Sequence, residues 1–579
     1  MKLVWNLEEL FKNDKDFYKL KEQIEKDLKE IKKQENSKLD EEIVFELLEK
    51  EWAIRERANT ALVYGSLKYY KDIYNEECLK QKQIAEQLTT EVEAELNFIK
   101  SKILKLGHEQ IENYMTKNKN LKIYEFYLKN RFRMQTHSKD FEENQIRQNK
   151  DEINKQIDLY NKLLRDIDYG KINREGELIE LNAANSNDYL SSKNGELRKQ
   201  TYLVVNQDFK EKEKAFANIL DKIIGYRIKN AKLENYSSVL EKVLFEENID
   251  SEIIDSLIKS VNNNIKIIRK YLKIKARVLE IERPHLYDFG VPIVSNLDKK
   301  YTIDEAIEIV KQALKPLGEK YLEVIDYLLN GHIDAELTPN KHQTIIFSWH
   351  TYSFLNFRGT YVDLKNLIHE MGHSVNDYLS KEHLPFIYKE STVFVGEIAS
   401  IVNEILLNRY LSENATTKEE KIFYLSKEIE NYFTTVYKQT MYTEFEKELY
   451  DTKKTSPLTP KVLTEKYEKI IKKYYGMDVI YDDLNFSEWM KLGHIYRHSY
   501  YPYKYATGLL MASLVVHDLV EEKTLSQKNY LNFLASGSSQ YAFDLLKILN
   551  IDLTDSTLLN KGFKIVEYKL KELEKLLNH

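Results

Sequence analysis

The first half of the chain has the pattern of long helices. All eight prolines lie at or beyond Pro284, and the residues before it are rich in Lys, Glu, Leu and Ile. Proline interrupts helices, whereas Lys, Glu and Leu favour them. Asp250 is the predicted N-cap of one such helix. Its apolar residues recur every three or four positions and fall on one face: Ile254, Leu257, Ile258, Val261, Ile265 and Ile268.

One segment differs from this helical pattern. Positions 344–360 contain no acidic residue and are dense in β-branched and aromatic side chains, which predicts two short strands of a small sheet. Asp363 follows as the predicted cap of a helix that begins near Leu364. The Asn-, Ser- and Ala-rich stretch 182–195 predicts a surface loop. We place a domain boundary there, between an N-terminal helical domain (1–195) and a second domain (196–579).

Composition and charge narrow the functional class. The 579 residues carry 87 Lys and Arg against 93 Asp and Glu, a net charge of −6, and no long basic block favours a nucleic-acid partner. The sequence contains no run of about 20 apolar residues, so no membrane span is predicted. Cys78 is the single cysteine, which excludes an intrachain disulfide and favours a reducing, cytoplasmic setting.

The predicted helix after the strands carries the sequence His369-Glu370-Met371-Gly372-His373. Two histidines at i and i+4 lie on one helical face, where both imidazoles can reach one metal ion at about 2.0–2.1 Å, a distance typical of Zn²⁺. Glu370 lies about 100° round the helix from His369. It can therefore serve as a general base beside the ion without binding it.

A catalytic zinc site needs a third protein ligand. Glu397 is the best candidate, and it opens an apolar segment that also contains Glu404. Because two carboxylates in a buried helix need partners, we assign Glu397 as the ligand and Glu404 as the acceptor for a ligand imidazole N–H. The alternative interpretation, two core histidines without a metal, is disfavoured by the apolar helix, the preceding strands and this carboxylate pair.

Positions 493–505 form a further cluster, in which five of 13 residues are Tyr and Pro502 favours a loop. Phenol and imidazole donors can stabilise the oxyanion of a tetrahedral intermediate, and His494 with one or two of these tyrosines can supply them. Ordinary packing of Tyr in a core is the alternative and, on chemistry alone, the favoured interpretation.

At this point the chain resembles the oligoendopeptidase F family, a branch of the thimet-oligopeptidase-like zinc metallopeptidases. The resemblance covers nearly the whole length, from the opening Val-Trp-Asn-Leu-Glu-Glu-Leu-Phe at 4–11 to segments 347–376, 393–407, 441–448 and 494–508. Three pieces in combination carry it: His369-Glu370-x-Gly372-His373, Phe394-Val395-x-Glu397-Ile398-Ala399-Ser400 and Tyr505-Ala506-Thr507-Gly508.

The resemblance implies a mainly α fold, in which two helical halves enclose a deep substrate channel with a small β-sheet beside the zinc-binding helix. It implies that 196–579 is the zinc peptidase catalytic domain. It also implies one Zn²⁺ per chain and the following roles: His369, His373 and Glu397 as ligands, Glu370 as general base and acid, and His494, Tyr501 and Tyr503 as groups that bind the oxyanion and substrate. A one-residue shift of the alignment would favour Tyr500 or Tyr505.

The implied activity is that of a zinc-dependent oligoendopeptidase that cleaves internal bonds of short, unstructured peptides. Three departures from the family pattern lie near the site. One is the stretch before the His-Glu-x-Gly-His motif, which is less typical and contains His350 and Arg358. Asn376 stands where members often carry a second His, and Gly396 stands where Ala is common. They put subsite preference in question more than activity. Subsite preference, the physiological peptides, the oligomeric state and the identity of the divalent ion are not set by the sequence.

Two alternatives remain. A peptidyl-dipeptidase or carboxypeptidase of the same zinc-helix type would recognise the free carboxylate of its substrate, through Arg358 or Lys504 in this chain. A non-catalytic helical protein with a structural zinc would bind peptides without cleaving them. Structural sites usually use four protein ligands, and only three good candidates are found here.

Overall fold

The computed structural model describes residues 2–137, 143–294, 297 and 299–578. The fold is mainly α-helical, as predicted. Two compact units are present, and each is built from three segments of the chain. Unit 1 comprises Met1–Thr136, Lys299–Leu407 and Val516–Asn550, and unit 2 comprises His137–Asp298, Asn408–Val515 and Ile551–His579. The domain boundary predicted at residue 195 lies within one segment of unit 2 and stays a prediction.

The helices are numbered in chain order. The first twelve are α1 (Asp14–Lys32), α2 (Glu41–Lys71), α3 (Glu76–Leu106), α4 (His108–Lys117), α5 (Glu125–Gln135), α6 (Glu143–Arg165), α7 (Ser186–Leu190), α8 (Gly195–Glu211), α9 (Glu213–Leu233), α10 (Val239–Glu247), α11 (Glu252–Asn263) and α12 (Ile265–Val278). The others are α13 (Ile303–Leu314), α14 (Glu319–Leu329), α15 (Tyr361–His383), α16 (Phe386–Lys389), α17 (Val393–Glu413), α18 (Lys418–Asn431), α19 (Lys438–Lys453), α20 (Pro460–Tyr475), α21 (Gly493–Arg497), α22 (Pro502–Val516), α23 (Gln527–Leu534), α24 (Ala542–Leu545) and α25 (Ser556–Asn578). None of the helices that the structure describes is both long and apolar enough to cross a membrane.

Two small sheets interrupt the helices. In unit 2, β1 (Lys171–Arg174) and β2 (Glu177–Glu180) form an antiparallel hairpin. In unit 1, β3 (Ile333–Asp334), β4 (Phe347–Trp349) and β5 (Tyr352–Phe354) form a sheet of order β3-β5-β4. The antiparallel pair β4–β5 places Ser348 opposite Ser353 and is the strand pair predicted from the sequence. β3 adds to it in parallel, and β4 is left at an edge of the sheet.

Unit 1 is held together by helix packing and by the N-terminal segment. α1, α2 and α3 pack on one another around a core that includes Phe17, Leu47 and Leu96. Ahead of α1, Trp5 lies against the sheet, and its indole N–H donates to the Ser353 carbonyl at 3.0 Å. The opening segment at 4–11 therefore supports the sheet beside α15.

A buried lysine anchors the same sheet. The Lys341 ammonium pairs with the Asp334 carboxylate at 2.7 Å and donates to the Leu355 carbonyl at 2.6 Å. Both side chains of this pair are almost wholly buried. A buried ammonium needs such partners because the interior solvates charge poorly. The pair fixes the loop before β4 to the ends of β3 and β5.

In unit 2, α6 packs on α9, α18 on α25 and α19 on α20. The apolar run predicted as one helix from Ile254 to Ile268 is instead divided between α11 and α12, so the prediction of a single helix was wrong. The break falls at Asn264, whose side-chain amide donates to the Ser260 carbonyl at 2.9 Å. An asparagine that bonds locally to the backbone competes with the helix and favours its end.

Candidate active site

The helix that carries the two histidines, α15, begins three residues earlier than predicted. Its N-cap is Thr360, whose hydroxyl accepts from the Asp363 N–H at 3.1 Å. Asp363 in turn accepts from the Thr360 N–H at 3.0 Å, which completes a capping box. The prediction that Asp363 is the N-cap was therefore wrong. Thr360 is the N-cap, and Asp363 is the second member of the capping box.

α15 and α17 bring three potential ligands together. Ligand atoms of His369 and His373 on α15 and of Glu397 on α17 all lie within 4.8 Å of one another. Two imidazole nitrogens and a carboxylate oxygen suit Zn²⁺, and three protein ligands leave a coordination position for a reactant. All three side chains are partly accessible. The fold thus brings His369, His373 and Glu397, which are up to 28 positions apart in the sequence, into one compact set of potential metal ligands.

Glu370 lies beside this donor set, and its environment suits a general base at a metal site. Its side chain is 7% exposed. Its carboxylate Oε2 is buried and has no hydrogen-bond partner among the described residues. A buried polar atom without a partner costs free energy, so such an atom is expected where a reacting group provides the partner. The residues present fit a catalytic zinc site with an adjacent base.

The close approach of α15 and α17 depends on Gly372. A Cβ at this position would lie 2.6 Å from the Ser400 Cα and 3.0 Å from the Ala399 carbonyl oxygen. Only glycine allows the two backbones to approach so closely without displacement. Gly372 adjoins His373, and Ser400 lies one turn beyond Glu397. The contact therefore sets the distance between the two ligand-bearing helices.

Glu404 orients one of the histidines. Its Oε1 lies 2.7 Å from the His369 Nδ1, and its Oε2 pairs with the Lys365 ammonium at 3.0 Å. Burial acts to raise the pKa of Glu404, but the bond to His369 and the charge of Lys365 outweigh it and hold the pKa below its usual range. Glu404 is therefore the carboxylate acceptor expected from the sequence. With Nδ1 engaged, Nε2 is the nitrogen of His369 that is left to bind a metal.

The protonation of the other groups suits metal binding and proton transfer. Burial lowers the pKa of His373 to about 3, which keeps its imidazole in the neutral form that binds metals. Burial raises the pKa of Glu370, against the opposing influence of His369 and the Ser348 hydroxyl. Burial also raises the pKa of Glu397. A general base with a raised pKa is a better proton acceptor near neutral pH.

Three serines tie α15 to the sheet. The Ser348 hydroxyl on β4 donates to the Glu370 carbonyl at 2.9 Å. The hydroxyls of Ser353 and Ser374 lie 2.9 Å apart, and that of Ser348 lies 2.9 Å from the Ser353 hydroxyl. Because the Ser348 side chain contacts the backbone of Glu370 directly, β4 lies beside α15.

The Tyr-rich cluster lies in unit 2. His494 is on α21, residues 498–501 form the predicted loop, and Pro502 is the first residue of α22 rather than a helix breaker. The His494 ring stacks on the Tyr501 ring at a centroid distance of 5.6 Å and lies 5.4 Å from that of Tyr505. These three rings are partly exposed and form one surface.

Tyr503 is not part of that surface. Its side chain is fully buried, and its hydroxyl donates to the Glu247 carboxylate at 2.9 Å. Lys504 forms an ion pair with the same carboxylate. The structure brings Tyr501 and Tyr505 to His494 and directs Tyr503 elsewhere. The role carried over to Tyr503 stays a prediction, although the placement favours Tyr505.

Comparisons with known proteins point to one family. The model of the family described as "Peptidase family M3" matches residues 189–565, more than half of the chain. The oligopeptidase PepF of Bacillus subtilis (strain 168) is 28% identical over 584 residues, which cover 99% of this chain and 87% of that protein. The chain belongs to peptidase family M3. The resemblance to oligoendopeptidase F is thereby confirmed.

Solved structures extend the similarity of this M3 peptidase to the fold. The crystal structure of a putative peptidase from Chlamydophila abortus has a TM-score of 0.90 and 28% identity, with 99% of this chain and 98% of that chain covered. An oligoendopeptidase-F from Enterococcus faecium has a TM-score of 0.74 and 25% identity, with 98% and 99% covered. The helical architecture is therefore that of its family.

Two of the departures of this M3 peptidase from the family pattern, Asn376 and Gly396, lie beside His373. The Asn376 amide donates to the Leu534 carbonyl at 2.6 Å. A Cβ at Gly396 would lie 3.2 Å from the His373 Nδ1 and 3.9 Å from the Asn376 side-chain oxygen. Gly396 and Asn376 thus adjoin each other beside His373. They change the surroundings of a potential metal ligand without removing it.

Two buried side chains that the sequence did not reveal, Arg227 and Glu446, hold the Tyr-rich cluster of unit 2. The Arg227 guanidinium donates to the carbonyls of Ile495 and Tyr496, both at 2.8 Å. The Glu446 carboxylate accepts from the Tyr500 N–H at 2.9 Å. Glu446 lies in the segment 441–448 that carries the family resemblance, which was the available signal. Arg227 had none, because its partners are backbone carbonyls far away in the sequence.

Proposed function

We propose that this M3 peptidase is a zinc-dependent oligoendopeptidase that hydrolyses internal bonds of short, unstructured peptides. The observation that carries the proposal is the donor set of His369, His373 and Glu397, with the buried carboxylate of Glu370 directly beside it. The names of the similar proteins, an oligopeptidase and an oligoendopeptidase-F, support the same substrate class.

The two helices of the site would hold one zinc ion through His369, His373 and Glu397. When bound, the ion supplies Lewis acidity, which lowers the pKa of water and polarises the scissile carbonyl. Glu404 keeps the His369 ring in its orientation through the 2.7 Å bond to Nδ1. Such partners of metal ligands contribute strongly to metal affinity.

Glu370 moves the proton in this mechanism. Its carboxylate accepts a proton from the attacking water and then delivers that proton to the nitrogen of the leaving amine. Its pKa, raised by burial, suits both transfers. Without the second transfer the amine would be a poor leaving group, so one residue serves as base and then as acid.

The remaining groups bind and orient the substrate. β4 is an edge strand, and an extended peptide can add to such an edge through main-chain hydrogen bonds. His494 and Tyr501 are proposed to donate hydrogen bonds to the oxyanion, as the family resemblance implies. Recognition of extended backbone would favour flexible peptides over folded proteins.

Mass spectrometry of the products from a flexible peptide of about a dozen residues tests this function. The peptide is offered as the free acid and as the C-terminal amide, with and without a chelator. We expect internal cuts in both forms that the chelator abolishes. Release of single residues or dipeptides from the free acid alone would replace the proposal with a carboxyl-terminal exopeptidase. Lys504, one residue proposed for that role, is already paired with Glu247.

We also propose where in the cell the protein is located. A reducing, cytoplasmic compartment is supported by the single cysteine, Cys78, which is buried and free. Fractionation of cells with an antibody against the protein tests this, and recovery outside the cytoplasm would contradict it.

A further inference from the structure

A cavity with charged residues in its wall lies in unit 1 beside the edge strand β4. It has a volume of about 320 Å³ and is bounded by α2, the turn between β4 and β5, α15 and the segment that follows α16. Asn59, His350 and Asp377 are among the residues that line it. This volume is at the lower end of the range for small-molecule sites, which suits a single side chain or terminal group.

The cavity is adjacent to the proposed catalytic residues. Ser348 lines it, and the hydroxyl of the same residue donates to the Glu370 carbonyl at 2.9 Å. Asp377 is one helical turn beyond His373, a rise of about 6 Å along α15. An extended peptide advances about 3.3 Å per residue. A peptide along β4 would therefore place a side chain at the cavity within a few residues of the cleaved bond.

Several charged groups of the cavity are already paired or neutral. The Lys389 ammonium pairs with the Glu56 carboxylate at 2.8 Å. The Nε2 of His350 is held by the Asn59 amide at 2.8 Å. Burial lowers the pKa of His350 to about 4, so its ring carries no charge at neutral pH. Lys389, Glu56 and His350 therefore do not select for a ligand of either charge.

Asp377 is different. No hydrogen bond or ion pair to its carboxylate is present among the described residues. Lys381, one turn further on α15, also lines the cavity but is exposed and forms no ion pair in the described part of the chain. Burial, reinforced by the charge of Glu390, raises the pKa of Asp377 well above its usual range. The Asp377 side chain is half-buried, and a carboxylate on a cavity wall without a partner is stabilised by an incoming cation.

We propose that this cavity is a specificity subsite that binds a cationic group of the peptide substrate, with the Asp377 carboxylate as its ionic partner. The inference rests on the proposed peptidase function and adds a substrate class to it: peptides with Lys or Arg at one fixed distance from the cleaved bond. A free α-amino group offers the same chemistry, and the experiment separates the two sources.

The test measures kcat/KM for a set of acetylated, amidated peptides in which lysine replaces norleucine at one position at a time. Norleucine keeps the length of the side chain and removes the charge. We expect lysine to raise kcat/KM about 10- to 100-fold at a single position, the value of a buried hydrogen bond to a charged group. A parallel set of peptides has free N-termini. If the increase in kcat/KM depends on the free N-terminus and not on the position of lysine, then the α-amino group is the cation.

The variant Asp377→Asn keeps the shape of the side chain and removes its charge. We expect it to lose the gain from the cation while kcat/KM for the all-norleucine peptide and the zinc content stay within twofold of the wild type. Glu382→Gln is the matched control, because it removes one negative charge from α15 at an exposed residue outside the cavity lining. The control should keep the preference.

Two results would overturn the inference. One is a wild type that cleaves the neutral peptide but gains nothing from a cation at any position. The other is an Asp377→Asn variant that retains the gain. Both leave the proposed peptidase function intact. Failure of the wild type to cleave any of the peptides would instead contradict the proposed function itself.

Discussion

Gly372→Ala adds one methyl group where α15 and α17 meet. The new Cβ would lie 2.6 Å from the Ser400 Cα, whereas ordinary contacts begin at 3.4 Å, so the helices must separate by about 0.8 Å. The obstructing atoms belong to the backbone and cannot rotate away. We expect a loss of about 1–3 kcal/mol in the free energy of unfolding, typical of overpacking.

The same displacement moves Glu397 relative to His373. Because a misplacement of about 1 Å at a reactive site can cost 100-fold in rate, we expect kcat/KM to fall by about that factor. Zinc retained after dialysis against a weak chelator should fall as well, because the three ligand atoms no longer converge. Thermal unfolding, zinc analysis and peptide kinetics on one preparation measure all three effects.

Gly225→Ala is the matched control for this prediction. Gly225 is inside α9, where a new Cβ would meet only the flexible Lys453 side chain at 3.4 Å. The same chemical change should leave Tm unchanged or higher, because alanine favours the helix by about 0.5–1 kcal/mol over glycine. If Gly372→Ala keeps zinc, activity and Tm at the level of this control, then the close helix contact does not set the geometry of the site.

The remaining predictions concern the groups around the site. Glu404→Gln should lower zinc affinity about 10- to 100-fold in a chelator competition, because the charged acceptor for His369 is lost; unchanged affinity would exclude an orienting role. Tyr501→Phe should lower kcat by about 100-fold or more, whereas Tyr503→Phe should mainly lower Tm, and the reverse pattern would exchange their roles. Burial raises the pKa of Glu446 to about 8, so between about pH 4.5 and 8 the folded chain holds a proton that the unfolded chain has released. The free energy of unfolding therefore falls as the pH rises through that window. Glu446→Gln should raise Tm relative to the wild type at pH 8.5 more than at pH 5, and an equal shift at both pH values would contradict the raised pKa.

The core of the site could be predicted because it depends on local geometry. The helical repeat alone places His369 and His373 on one face. The apolar segment around Glu397 predicts a buried helix, in which a carboxylate must have a partner such as a metal ion. The β4–β5 pair was likewise evident from its composition. In each case the residues that decide the structure are neighbours in the sequence.

Other features depend on contacts that local patterns do not encode. The hairpin of β1 and β2 was missed because its strands are short, polar and mostly exposed, so they lack the alternation of apolar residues that predicts a strand. The position of Tyr503 depends on the start of α22 at Pro502, which the sequence pattern does not indicate. Tyr501 and Tyr505 are four positions apart, and both rings lie on the side that faces His494. Tyr503 lies between them in the sequence, and its side chain is on the opposite side.

The cap of α15 shows a smaller ambiguity of the same kind. Thr360 and Asp363 are both good capping residues, and each bonds the backbone of the other. Because either residue can be an N-cap, the sequence alone does not decide whether the helix begins after Thr360 or after Asp363.

The central claim is that His369, His373 and Glu397 hold one zinc ion while Glu370 transfers the proton. Zinc content and peptide turnover, measured on the same preparations of Glu370→Gln and Glu397→Ala, test it most directly. We predict that Glu370→Gln retains about one zinc per chain without turnover and that Glu397→Ala loses both metal and activity. Full activity in Glu370→Gln, or unchanged zinc in Glu397→Ala, would contradict the assignment.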